Sequence, residues 1–205
     1  MTLYRWKPRF QALLRPAVTR LARSGVTANG VTVAAAAGSV LVGAVIALMA
    51  ETRSVFLLLP AWCLVRMALN AVDGMLAREF HQKSRLGAYL NELADVVSDA
   101  VLLLPLGLLP AFGGASVALV VGLSLLTEFA GVLGLMVGAS RRYDGPLGKS
   151  DRALVMGALG LWIGLGLPLP AWSVGLMGLV AIGLAVTVVN RVRAGLEEAS
   201  AHAAR

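Results

Sequence analysis

A chain of 205 residues that is 58% hydrophobic and only 14% charged is too apolar for a water-soluble domain, which carries roughly a quarter charged residues. The apolar residues fall in long runs and the mean hydropathy is +0.80, which describes a single domain embedded in a bilayer. The formal charge of +7 fits cytoplasmic loops and anionic headgroups and argues against a nucleic-acid partner, while a lone Cys63 excludes an intramolecular disulfide.

In chain order, residues 1–24 come first. On a helical projection Trp6, Phe10, Leu14, Ala17, Val18 and Leu21 share one side, and Arg5, Arg9, Arg20 and Arg23 the adjacent one. This pattern predicts an amphipathic helix lying in the membrane interface, bent at Pro16. The apolar run that follows approaches a full span, unlike the short core of a signal peptide. Residues 25–193 form the membrane domain. Six apolar stretches there are long enough, or nearly so, to cross about 30 Å of hydrocarbon. They lie near residues 31–50, 54–78, 87–109, 115–140, 153–167 and 172–190, the fifth being short and ending at Pro168 and Pro170. Residues 194–205 read as a polar C-terminal tail. The predicted class is an all-α integral membrane protein with six transmembrane helices after an N-terminal interfacial helix.

The connections alternate in charge. Arg5, Lys7, Arg9, Arg15, Arg20 and Arg23 precede the first span, Lys83 and Arg85 sit in the second connection, and Arg141, Arg142, Lys149 and Arg152 in the fourth. Arg191 and Arg193 follow the last span, whereas the other connections hold only Glu51 and Arg53. By the positive-inside rule both termini and the second and fourth connections are cytoplasmic.

Ionisable residues inside spans are costly unless a polar cavity or partner receives them. Arg66, Asn70, Asp73 and Ala77 fall within roughly 60° of arc on the second span. Asn91, Glu92, Asp95 and Asp99 fall within roughly 100° on the third. A short cytoplasmic turn at residues 79–86 joins the two, so an antiparallel hairpin brings the stripes together. Two readings follow: an ion network around Arg66 that serves packing, or a divalent-cation site. Arg66 and Arg78 face four nearby acids, and that surplus of negative charge favours a hard cation such as Mg²⁺, Mn²⁺ or Ca²⁺ on oxygen ligands. Gly74 leaves room for a ligand to approach the backbone, and Arg78 at the cytoplasmic mouth suits a phosphate. Acids for a metal and arginines for phosphates point to phosphoryl-type transfer.

Residues 70–95 read Asn70-x2-Asp73-Gly74-x2-Ala77-Arg78-x8-Gly87-x3-Asn91-x3-Asp95. This resembles the signature of the CDP-alcohol phosphatidyltransferases, Asp-x2-Asp-Gly-x2-Ala-Arg-x8-Gly-x3-Asp-x3-Asp, with every spacing kept. Asn29-x2-Thr32 is similar to the family's Asn-x2-Thr element. The resemblance implies a six-span enzyme of phospholipid biosynthesis in the inner (cytoplasmic) membrane, its active site on the cytoplasmic side, acting as a homodimer. Such an enzyme moves a substituted phosphate from a CDP-alcohol, such as CDP-diacylglycerol, to an acceptor hydroxyl and releases CMP. It implies Mg²⁺ or Mn²⁺ on Asp73, Asp95, Asn70 and Asn91, with Asp95 a ligand or the base. Asn29, Thr32, Arg66, Gly74, Ala77, Arg78 and Gly87 would then bind the CDP-alcohol. Two of the four signature aspartates are Asn70 and Asn91, and Asp99 and Glu92 are expected to supply the missing carboxylates. The alternative is a non-catalytic relative that binds a CDP-lipid or headgroup without turnover.

The fourth connection reads either as a positive-inside anchor or as a contact for an acceptor phosphate through Arg141, Lys149 and Arg152. Mid-span Glu128 is expected to pair with a hydroxyl or with Arg66 rather than to act in catalysis. Gly160-x3-Gly164 suggests a helix-contact face. No paired repeat with broken helices supports a transporter.

Overall fold

The structure, a computed structural model, describes residues 7–203, which fold as helices joined by loops and turns, with no strand among the described residues. Helix α1, Lys7–Arg23, carries Pro16 inside it. Val18 is fully buried, and with Leu14 and Leu21 it packs against Val72, Met75 and Leu76. The predicted apolar side thus packs against protein. Arg5, Trp6 and the side chain of Arg9 lie outside the described residues.

Gly25, at a φ of +81°, ends α1 in the left-handed cap that only glycine adopts without cost. Val26 N–H then returns to Leu21 O and Gly25 N–H to Ala22 O. Two residues later Thr27 caps α2, Ala28–Leu48, by accepting from Gly30 N at 3.1 Å.

A 3₁₀ turn, Arg53–Leu57, runs into α3, Leu58–Glu79. Ser84 then caps α4, Arg85–Leu103, by accepting from Gly87 N, and a second 3₁₀ turn, Leu104–Leu108, follows. Helix α5, Gly114–Leu133, ends in a third such turn at Gly134–Val137. Helices α6, Lys149–Gly164, and α7, Ser173–Ala203, complete the chain.

Four segments are long and apolar enough to cross a membrane: Ala28–Leu48, Arg53–Glu79, Gly114–Val137 and Ser173–Ala203. The third and fifth predicted spans form α4 and α6. The charges carried by α4 and the 16-residue length of α6 keep both below that standard. The last helix differs from expectation too: it continues past Asn190 to Ala203, so most of the predicted polar tail is helix. Outward-facing residues such as Leu48 (87% exposed) and Phe129 (61%) form the apolar surface that lipid would cover.

The helices divide into an apolar half and a polar half. Phe56, Leu59, Leu102, Phe112, Met156 and Ile163 pack in one cluster at the end of the bundle away from the α3–α4 turn. Close backbone approach makes this possible. A methyl at Gly43 would lie 2.4 Å from the Val101 carbonyl oxygen, and one at Gly160 would lie 2.6 Å from Leu59 Cβ. Gly164 likewise sits against Leu57, so the Gly160-x3-Gly164 face is a helix contact, between α6 and the start of α3. Helix α2 packs along both α3 and α4, holding their backbones apart and leaving the polar end of the bundle to side chains.

Candidate functional site

At the polar end, the first turns of α2 and α4 meet the last turns of α3. Thr32 donates to Asp73 Oδ2 at 2.9 Å, and both residues are buried. One turn earlier Asn29 reaches Ser84 and lies against Gly87, where a methyl would come 2.7 Å from its Oδ1. The Arg78 guanidinium folds over Gly74, and a methyl there would sit 2.9 Å from Nη2. Gln82, in the α3–α4 turn, accepts from Ala28 N at 2.6 Å and donates to Val26 O, fastening the turn to the start of α2. Asn29, Thr32, Asp73, Gly74, Arg78 and Gly87 are therefore gathered at one end of the bundle. Asn70 and Asn91 are half-buried one turn from Asp73 and Asp95 on their helices.

Between α3 and α4 the contact is ionic. Arg66, 4% exposed, donates to Asp99 Oδ1 at 2.5 Å and to Asp95 Oδ1 at 3.2 Å. Lys149 pairs with the other oxygen of Asp95. Arg152, 3% exposed, bridges Asp99 Oδ2 and Glu128 Oε1, each at 2.7 Å. Arg141 takes both oxygens of Glu92, at 2.5 and 2.6 Å, and reaches Glu128 Oε2 at 2.7 Å. Arg191 approaches the same Glu128 oxygen at 3.4 Å and donates to the carbonyls of Thr127 and Asp144.

This network alters three expectations. The acids Asp73, Glu92, Asp95, Asp99 and Glu128 are matched in number by Arg66, Arg141, Lys149, Arg152 and Arg191, so the surplus negative charge inferred from the α3–α4 hairpin does not survive the loop and α7 cations. Glu128 pairs with Arg152, Arg141 and Arg191 rather than with Arg66. Asp99 and Glu92, expected to replace missing metal ligands, give all four carboxylate oxygens to arginines. Among the described residues no three His, Cys, Asp or Glu side chains cluster as metal ligands, which follows from asparagine at two of the four signature positions. Asp73 stands apart: it is buried and forms no ion pair among the described residues.

The connection from α5 to α6 lies along α7. Ser140 donates to Glu198 through N–H and hydroxyl, and Arg142 joins the same carboxylate and Asp144. Leu147 N donates to Thr187 Oγ1 at 3.0 Å, and Asp151 caps α6 through Gly148 N. This clasp fixes the segment that delivers Lys149 to Asp95. The Ser140 hydrogen bonds hold Glu198 below the usual carboxylate range, and the Arg142 hydrogen bonds do the same for Asp144. A lowered folded-state pKa stabilises above the unfolded value, near 4, and that contribution is lost as pH falls through the folded value. Acidification from pH 7 to below about pH 4 is therefore expected to raise amide exchange in residues 138–148 before α2 or α3 respond. Glu198→Gln should reproduce the increase near Ser140 at pH 7; unchanged exchange there would refute the clasp.

The profile of the family described as CDP-alcohol phosphatidyltransferase matches residues 25–189. The Escherichia coli (strain K12) inner membrane protein YnbA is 47% identical over 196 residues, covering 96% of this chain and 97% of that one. Two crystal structures of Mycobacterium tuberculosis phosphatidylinositol phosphate synthase (PgsA1) superpose with a TM-score of 0.71. The one with CDP-DAG bound is 22% identical, covering 88% of this chain and 92% of that one. The other, in complex with manganese and citrate, is 24% identical and covers 88% of each. At these identities the two structures establish likeness of fold.

Proposed function

Since the chain belongs to the CDP-alcohol phosphatidyltransferase family, we propose that it moves a phosphatidyl-type group from a CDP-alcohol such as CDP-diacylglycerol to an acceptor hydroxyl. On this reading it works as a six-span homodimer in the inner membrane, with α1 at the interface and both termini and the polar end cytoplasmic. The observation that carries the proposal is Asp73, a buried carboxylate that accepts a hydrogen bond from Thr32 and has no ion-pair partner among the described residues. Such a charge calls for a cation, and the neighbouring donors are hard oxygens. Asp73, Asp95, Asn70 and Asn91 are the residues to hold Mg²⁺ or Mn²⁺, which when bound offsets the negative charge of the donor's diphosphate.

The protein's own groups divide the remaining work. Arg78, over Gly74, holds the diphosphate at the mouth, and Asn29 and Gly87 flank the nucleotide. Arg66 fixes one oxygen of Asp95, leaving the oxygen that faces Lys149 to take the acceptor's proton. The acceptor oxygen bonds to the phosphorus that bears the lipid alcohol. The bond from that phosphorus to the bridging oxygen breaks, and CMP leaves with the electron pair.

Purified protein given CDP-diacylglycerol, Mg²⁺ or Mn²⁺ and a panel of acceptors is expected to release CMP only when an acceptor is present. Asn70, Asn91 and the neutralised Asp95 favour one competing reading, a CDP-lipid-binding relative without turnover. That reading predicts tight CDP-lipid binding and no CMP release across the whole panel.

A further inference from the structure

We infer that the acceptor is an alcohol carrying no phosphate of its own. This rests on the phosphatidyl-transfer reading and assigns the class of the second substrate. A phosphorylated acceptor brings about two more negative charges to a site that already contains Asp73, Asp95 and the donor diphosphate. Binding it calls for dedicated cations, best supplied by forked guanidinium groups.

The arginines placed to do so are all committed. Arg141 is held by Glu92 and Glu128 through charge-assisted bonds of 2.5–2.7 Å. Arg142 is turned toward α7, onto Asp144 and Glu198. Arg152 is 3% exposed between Asp99 and Glu128, and Arg191 is 1% exposed beside Glu128 and two backbone carbonyls. Drawing Arg141 onto a phosphate would leave Glu92 without its cation, and drawing out Arg152 or Arg191 would break several buried charge-assisted contacts at once, penalties that offset the new contact. What remains is Lys149, a single ammonium with its side chain 33% exposed, already paired with Asp95.

A neutral or zwitterionic alcohol makes no such demand. Its hydroxyl meets the Asp95–Lys149 pair, gives its proton to Asp95 as its oxygen bonds to the lipid-bearing phosphorus, and adds no net charge on binding. Arg78, on the α3 side over Gly74, stays with the donor diphosphate.

The test uses matched acceptor pairs with CDP-diacylglycerol and Mg²⁺: glycerol and glycerol 3-phosphate, inositol and inositol 3-phosphate, serine and phosphoserine. CMP release is expected with an unphosphorylated member, and its phosphorylated partner should show kcat/KM lower by about a hundredfold or more. Preference for the phosphorylated member of any pair overturns the inference and leaves the transfer reading standing. Silence with every acceptor overturns the transfer reading, and this inference with it. Glu92→Gln, which removes one of the two acids on Arg141, is expected to raise the relative use of a phosphorylated acceptor about tenfold. An unchanged ratio in a normally folded variant would refute the role given to Arg141.

Discussion

Asp73→Asn is expected to reduce CMP release about a thousandfold or more, with little change in thermal unfolding. The substitution conserves shape. Thr32 donates its hydroxyl to Asp73 Oδ2, and an asparagine carbonyl oxygen can accept the same proton, so the α2–α3 contact persists. What disappears is charge. Asn70 and Asn91 are already neutral, so Asp73 and Asp95 are the charged members of the four signature positions, and Asp95 is shared between Arg66 and Lys149. Asp73 is thus the one acid of the site whose charge no side chain of the protein offsets within ion-pair distance, among the described residues. Removing it leaves a cation with one carboxylate to bind, itself contested. Initial rates under saturating donor and Mg²⁺, with unfolding in detergent as the folding control, decide the matter. A folded variant retaining more than about a tenth of the activity would show that the charge at Asp73 is not what the reaction needs.

The polar stripe of α3 and α4 was legible because helical periodicity alone places residues three and four apart on one face. Arg66 does meet Asp95 and Asp99, and the family's Asn-x2-Thr spacing does bring Asn29 and Thr32 to Gly87 and Asp73. Periodicity is silent on which distant residues complete a charge. Glu128 meets Arg152 and Arg191 from two other helices, and Lys149 reaches Asp95 from the start of α6. A charge count confined to one hairpin therefore had the wrong sum. The continuation of α7 was within reach of the sequence. Residues 194–203 are mostly Ala, Leu and Glu, strong helix formers, and their polarity marks emergence from lipid rather than the end of the helix. The charges of α4 and α6 have two effects that pull apart. They identify the site, and in α4 they keep the helix below the apolarity expected of a span, whereas α6 falls short by its length.

Glu128→Gln is expected to destabilise the protein by about 3–5 kcal/mol, because removing one partner of a buried ion pair leaves the other uncompensated. Glu128 is 4% exposed on α5, and its two oxygens receive Arg152 from α6, Arg141 from the connecting loop and Arg191 from α7. The three arginines are not stranded equally. Arg152 keeps Asp99 and Arg141 keeps Glu92, but Arg191 keeps only the carbonyls of Thr127 and Asp144 while remaining 1% exposed. The cost should therefore fall mainly on Arg191, and adding Arg191→Met to Glu128→Gln should recover more stability than adding Arg152→Met, which leaves one oxygen of Asp99 unpaired in turn. Double-mutant cycles on unfolding free energy in detergent measure both couplings. If the Arg152 coupling proved the larger, Asp99 would be compensated by Arg66 alone, and the chain of alternating charges from α3 to α7 would act as separate pairs instead of one network. The predicted order follows from a single asymmetry: of the arginines gathered on Glu128, only Arg191 has no second acid.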